Sequence, residues 1–318
     1  MCRPASKPYC PGEGESVLRI LLPGPLNLEV TLECGQAFRW EKVQGSRGIA
    51  YKGVVGAYSV MLSQCDVSGK CGEKDAGREF SCLLVSFDPV VVKGTTREML
   101  ADAVFRYLSL DDDLDTIETT LIEKDQIMRK ALEFSRGLRL LRQDPWECLA
   151  SYIISVHNNI PAIRRVISYL SKQLGEPTGL REYSFPAPRA ILSDPAVLDL
   201  ARCGFRKEYL LDAARKVDGG EVDLSALGEM PVEKAASELM KIKGVGPKVA
   251  DCVLLFAYHR LEVFPVDVWI LRAMSLFYFG GRQVSPRIAR EEGIRRFGKF
   301  AGYAQEHLYH YVRNNSGL

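Results

Sequence analysis

A lysine, a cysteine and an aspartate stand at spacings from which chemistry could follow. Lys248 and Cys252 lie four residues apart in a run that reads as a helix over Pro247–Tyr258, so one helical face carries both. Asp267 follows in Pro265-Val266-Asp267-Val268, where an acidic residue ahead of an apolar stretch reads as a helix cap. Before the lysine, Gly244-Val245-Gly246 ends a helical run over 231–240, and Pro247 takes the first helical position, where the amide it lacks would be unpaired anyway. Two glycines around one apolar residue permit a sharp turn and close approach to a partner. Amides of such a turn, at the positive end of a helix, suit an anion such as phosphate. The same dipole, and any desolvation, lowers an amine's pKa, which makes Lys248 a candidate nucleophile. A solvated or phosphate-binding lysine is the plainer alternative. Asp267 could likewise be a cap alone, and Cys252 a small buried residue.

Helices that could position these groups run from Leu114 to the end. Asp144-Pro145-Trp146-Glu147 starts one with cap, proline and glutamate in order, and Asn158-Asn159-Ile160-Pro161 precedes another closed by Gly175. Others are expected over 195–200, 206–217, 231–240, 267–278, 286–296 and 300–313. Residues 1–15, with three prolines and two glycines, read as a disordered lead. Short apolar or alternating stretches at 17–22, 26–32, 38–42, 49–54, 58–63 and 80–87 predict an antiparallel sheet, with 64–77 a polar loop. A helix is expected from Thr95, with Glu98 closing a capping box, and the acidic run 111–113 marks the boundary. The fold class is α+β: a small N-terminal antiparallel β domain over 16–112, then an all-α domain over 113–318.

The chain has 318 residues, 47% hydrophobic and 26% charged, with net charge +2. It is no polycation, so any nucleic-acid binding rests on local features. Nine scattered cysteines, no secretory leader and no long apolar run imply reduced thiols in an intracellular protein without membrane segments. Cys65 and Cys71 lack a paired C-x-x-C, and His307 with His310 lacks a third ligand, so zinc is not expected.

The assembled unit of helix, glycine hairpin, helix with Lys248, and P-V-D-V resembles the helix-hairpin-helix DNA glycosylases. K-V-A-D-C after G-V-G is similar to the 8-oxoguanine DNA glycosylase/lyase family in particular. The resemblance runs over about 17–313, densest at 34–40, 138–160, 203–209, 240–270 and 298–309. It implies that Lys248 attacks C1′ of a flipped-out nucleotide and forms a Schiff base that supports strand cleavage, with Asp267 stabilising the sugar cation. It implies further that Cys252 and Tyr309 sandwich the base, although the family more often has phenylalanine at the second position. Cys252 as thiolate beside the Lys248 ammonium would oppose the dipole of the oxidised base. Gln305 would read the Watson–Crick edge, and the carbonyl of Gly35, in G-Q-A-F-R-W, would accept from N7–H, which only the oxidised guanine carries. Phe38 and Trp40 of that stretch are expected in the core. DNA contacts fall to His157, Asn158, Phe205, Arg206, Gly244, Val245, Gly246 and Trp269. Phe205 would be the wedge and Arg206 would read the orphaned cytosine. His157 and Ala162 depart from the family pattern, which puts strict selectivity for cytosine opposite the lesion in doubt, and Trp269 stands where the family pattern has a phosphate-contacting histidine. Carbonyls of Met240, Ile242 and Val245 would hold a structural monovalent or divalent cation. No cofactor is implied for catalysis, and no cysteine follows Cys252 to build an iron–sulfur loop. The implied partner is double-stranded DNA containing oxidised guanine, met by a monomer, in the nucleoid of a prokaryote or the nucleus of a eukaryote. A glycosylase for alkylated bases or oxidised pyrimidines, and a non-catalytic DNA-binding module, are the rival readings.

Overall fold

The computed structural model describes residues 9–11, 16–45, 48–67, 80–88, 96–123 and 125–315. Six antiparallel strands form the N-terminal sheet: β1 (Tyr9–Pro11), β2 (Val17–Leu21), β3 (Glu41–Gly45), β4 (Gly48–Val55), β5 (Tyr58–Val67) and β6 (Phe80–Phe87). Their spatial order is β1-β2-β6-β5-β4-β3. Strand alternation aims Leu18, Ile20, Val60, Leu62, Leu83 and Val85 at one core. Helix α1 (Leu28–Glu33) and the Leu100 and Val104 stripe of α2 (Arg97–Tyr107) pack against that core.

Several expectations need correction. The stretch 26–32 is not a strand: Leu28, Thr31 and Leu32 recur at helical spacing, and the side chain of Asn27 caps α1 by accepting from Val30 N. Phe38 and Trp40 precede β3 instead of belonging to it, and both are core residues as expected. Residues 9–11 of the lead are ordered as β1, paired with β2; the rest of the lead lies outside the described residues. β5 reaches past the expected loop start to Val67, and the Gln64 side chain accepts from Leu28 N and donates to Leu26 O. The remainder of that loop, 68–77, is outside the described residues, as is Thr95. Helix α2 is capped by Thr96, whose hydroxyl accepts from Met99 N, so Glu98 stands at the second helical position and not the third. Cys82 is disulfide-bonded, against the expectation of reduced thiols throughout.

The helical part comprises α3 (Leu114–Ile122), α4 (Gln126–Phe134), α5 (Pro145–Ile154), α6 (Ile160–Leu174), α7 (Pro188–Ser193), α8 (Ala196–Leu200), α9 (Arg206–Asp218), α10 (Val232–Leu239), α11 (Pro247–Tyr258), α12 (Val268–Tyr278), α13 (Pro286–Phe297) and α14 (Ala301–Asn314). Asp113, Asp125, Asp144, Asn159, Asp267 and Ser285 each satisfy an amide at a helix start, so half of these twelve starts follow local capping chemistry. A hairpin of β7 (Pro177–Gly179) and β8 (Glu182–Tyr183), unforeseen in the sequence, interrupts the helices and leans on the sheet. Ser59 bonds Thr178 at 2.6 Å and Lys52 pairs with Glu182 at 2.7 Å.

The two cores interlock. Cys34 and Phe38 pack among the helices, and Leu141 packs under the sheet. The acidic run ties the halves together. The Asp112 carboxylate accepts from Tyr303 Oη at 2.5 Å and from Arg142 at 2.9 Å, and lies 2.9 Å from His259 Nε2. Among the described residues no helix is long and apolar enough to cross a membrane.

Candidate active site and nucleic-acid interface

The turn before α11 forms because Gly244 takes φ +78°, and a side chain there would collide with the Tyr209 ring. Gly246 is the N-cap and Pro247 the first residue of α11, which leaves Lys248 in the first turn, half-buried. Its ammonium lies 5.0 Å from the centroid of the Tyr152 ring. Tyr152, on α5, stacks on Phe256 with centroids 5.7 Å apart. Asp267 caps α12, its Oδ1 accepting from Trp269 N at 3.0 Å and Ile270 N at 2.9 Å.

These groups open on a cavity of about 760 Å³ between the helices and the Cys34–Gly35–Gln36 turn. Of the residues singled out in the sequence, Gly35, His157, Asn158, Gly244, Gly246, Lys248, Cys252, Asp267, Trp269, Gln305 and Tyr309 line it. Val245, Phe205, Arg206, Met240 and Ile242 do not. Gly35 has φ +112°, a conformation glycine tolerates, and a Cβ there would sit 3.3 Å from both Arg313 Nη1 and Ile160 Cδ1. Arg313 also donates to the Cys34 carbonyl at 3.0 Å, which holds the turn against α14.

Burial dominates the electrostatics. It pushes the Cys252 thiol up to about 12, with the Lys248 charge pulling the other way. The free protein therefore carries a thiol at neutral pH, not the thiolate raised from the sequence. Burial also raises the Asp267 carboxyl above its ordinary range; the Ile270 amide bond and the Lys248 charge oppose it. Glu306 is raised to about 7, chiefly by burial, with the Asp267 charge adding to the rise and Cys34 and Arg313 opposing it.

Sequence reasoning passed over Tyr152, Glu306 and Arg313, all of which line the cavity. Tyr152 hid among apolar neighbours on α5. Glu306 follows Gln305 in a segment whose charge predicts a solvated face, yet it is 3% exposed. No local signal marks either.

Beside the cavity, Phe205 is 52% exposed and packs edge-on to Tyr209. Arg206 stacks on the Phe205 ring at 4.7 Å and spends its donors on backbone: Nε to Val156 O at 2.6 Å, Nη2 to His157 O at 2.8 Å, Nη1 to Cys203 O at 3.2 Å. It thus anchors the turn that presents His157 at φ +48° and Asn158. Val245 and Ile242 are buried, and Val245 N donates to Ile242 O at 3.1 Å. On the hairpin's outer edge Lys216 Nζ sits 2.5 Å from Lys241 O. His307 is fully buried on Ser135, and burial depresses it to about 3. His310 packs on Phe134, so neither histidine takes part in the site.

Residues 20–149 match the family model described as the 8-oxoguanine DNA glycosylase N-terminal domain. A protein of Methanothermobacter thermautotrophicus named "Probable N-glycosylase/DNA lyase" is 30% identical, the match spanning 93% of this chain and 96% of that one. A solved structure of MBOgg1 with a low-affinity DNA ligand is 34% identical over 97% of this chain and 99% of that one, with TM-score 0.83. The Clostridium acetobutylicum 8-oxoguanine glycosylase/lyase, solved on double-stranded DNA with cytosine opposite the lesion, is 29% identical over 96% and 98%, with TM-score 0.80.

Proposed function

This chain belongs to the N-glycosylase/DNA lyase family of the 8-oxoguanine DNA glycosylases, and on that premise we propose that it excises 8-oxoguanine from duplex DNA and cleaves the strand, with Lys248 as nucleophile. The observation that carries the assignment of roles is the meeting of Lys248, Asp267, Cys252, Gln305 and Gly35 around one cavity. The cavity takes the flipped nucleotide. Lys248 Nζ, as free amine, forms a bond to C1′ while the C1′–N9 bond breaks and its electron pair leaves with the base. Loss of a proton from nitrogen and opening of the sugar ring give a Schiff base. Removal of a C2′ proton then expels the 3′ phosphate. The positive charge that builds on the sugar is stabilised by the Asp267 carboxylate, already fixed by its two amide bonds.

Around that chemistry, Tyr309 and Cys252 bracket the base, Gln305 meets its Watson–Crick edge, and the Gly35 carbonyl accepts from N7–H. Normal guanine has a lone pair at N7, so a buried carbonyl there loses a bond and meets repulsion, roughly 2–4 kcal/mol of discrimination. The amides of Gly244 and Gly246 bind phosphate, with Trp269 beside them, while the Val245 amide closes the turn on the Ile242 carbonyl. Phe205 enters the stack, while His157 and Asn158, on the turn Arg206 braces, face the orphaned base. Carbonyls of Met240, Ile242 and Val245 would hold a cation that helps bind phosphate. A monovalent ion suits them better, because the Lys216 ammonium already sits on the neighbouring Lys241 carbonyl. Nothing in the chemistry runs through that ion.

Borohydride trapping tests the nucleophile. Wild-type protein cross-links to DNA containing 8-oxoguanine and Lys248→Gln does not. A Lys248→Gln protein that still cross-links refutes the assignment.

A further inference from the structure

One ionisable side chain of the cavity has no task in the reaction above. Glu306 lines the cavity, is 3% exposed, and its Oε1 has no hydrogen-bond partner. An unpaired buried carboxyl oxygen destabilises the empty site, a cost removed when a ligand supplies the missing bond. Its location narrows what that ligand offers. Glu306 is one residue beyond Gln305 on α14, and its carboxyl neighbours the thiol of Cys34, the residue before Gly35.

A guanine presents N7, the oxygen on C6, N1 and the C2 amino group in that order along its outer edge. With Gly35 serving N7 and Gln305 serving N1 and the amino group, the oxygen at position 6 falls between them. That oxygen is an acceptor and needs a donor. We infer that Glu306 is a specificity residue whose carboxyl O–H donates to the oxygen at position 6 of the extruded purine. This rests on the functional reading above and adds to it a residue that reads the base rather than the lesion.

The carboxyl must hold its proton to do so. Burial and the Asp267 charge keep it protonated up to about pH 7, against the thiol of Cys34 and the charge of Arg313. The other titratable groups around it are Tyr152 on α5, Cys252 on α11 and Tyr309 on α14. Burial raises all three, so they stay neutral across the range that matters. Lys248 reaches the group through Asp267 and Cys252. Above pH 7 the acid becomes a carboxylate, and two sets of lone pairs face each other.

The test uses full-length Lys248→Gln protein, in which the base stays on the DNA. The measured quantity is the affinity for a duplex containing 8-oxoguanine divided by that for the same duplex with a tetrahydrofuran abasic site. The ratio should fall about tenfold from pH 6 to pH 8.5, one donor bond's worth. Adding Glu306→Ala should lower it about tenfold at pH 6. Glu306→Gln, whose amide still donates, should restore it and flatten the pH dependence. A ratio indifferent to pH in the glutamate form, or unmoved by the alanine, overturns the inference. Excision by the lysine-intact protein separates the two claims. Absence of 8-oxoguanine excision refutes the function, and normal excision with unmoved ratios refutes only the role of Glu306.

Discussion

Asp267 is assigned two tasks, and Asn and Ala separate them. As a cap its Oδ1 holds two amides of α12, at 3.0 and 2.9 Å. As a charge it faces the sugar. Asn caps about as well as Asp, so Asp267→Asn keeps the amide bonds and removes only the charge. Burial has raised the carboxyl's pKa, which means the ionised form is disfavoured by folding, and its removal relieves that cost above the folded pKa. The loss of charge at the helix N-terminus works the other way, by about 0.3–1 kcal/mol. The two effects oppose, so Asp267→Asn should melt close to wild type. Asp267→Ala frees both amides and costs about 1 kcal/mol, a fall in Tm of about 2–4 °C. Excision should behave differently. Removing a fixed group aimed at developing charge slows both variants about 10²–10³-fold under single-turnover conditions. An Asp267→Asn protein that excises within threefold of wild type would leave Asp267 a cap and nothing more. One that melts as low as the alanine variant would show that the charge, not the hydrogen bonds, secures α12.

Gly35→Ala puts a side chain at φ +112°, about 1–3 kcal/mol of strain, and crowds Arg313 and Ile160. The turn should shift, and preference for oxidised over normal guanine in competition binding should drop at least about tenfold; unchanged preference removes Gly35 from recognition. Asp112 makes a pH prediction. Burial alone would raise its carboxyl, but bonds from His259 and Tyr303 with the charges of His259 and Arg142 bring it below the ordinary 3.8. A depressed carboxyl stabilises the fold above its unfolded pKa, and that stability is lost as pH falls below about 4. Asp112→Asn should therefore cost about 2 kcal/mol near pH 7 and less at pH 3 in urea titrations. An equal cost at both pH values contradicts this.

What the sequence determined by itself was whatever short-range chemistry governs. The glycine turn, the proline start of α11 and the Asp267 cap rest on contacts a few residues long, so Lys248 could be placed in its first helical turn without any tertiary information. Gln305 and Tyr309, one turn apart on α14, are legible in the same way. The helix starts at Asp144, Asn159 and Ser285 follow, because each carries its own capping side chain. Where competing local signals were close, the reading slipped: Asn27 and the Leu28, Thr31, Leu32 spacing made a helix of an expected strand. Tertiary structure alone decided what lies across the cavity. Gly35 reaches α14 only because Cys34 and Phe38 leave the sheet's core for the helices' core and Arg313 bonds the Cys34 carbonyl. Glu306 reads as a solvated charge in one dimension. It becomes a buried acid near pH 7 because the N-terminal turn closes over it, and that desolvation has no counterpart in the residues beside it.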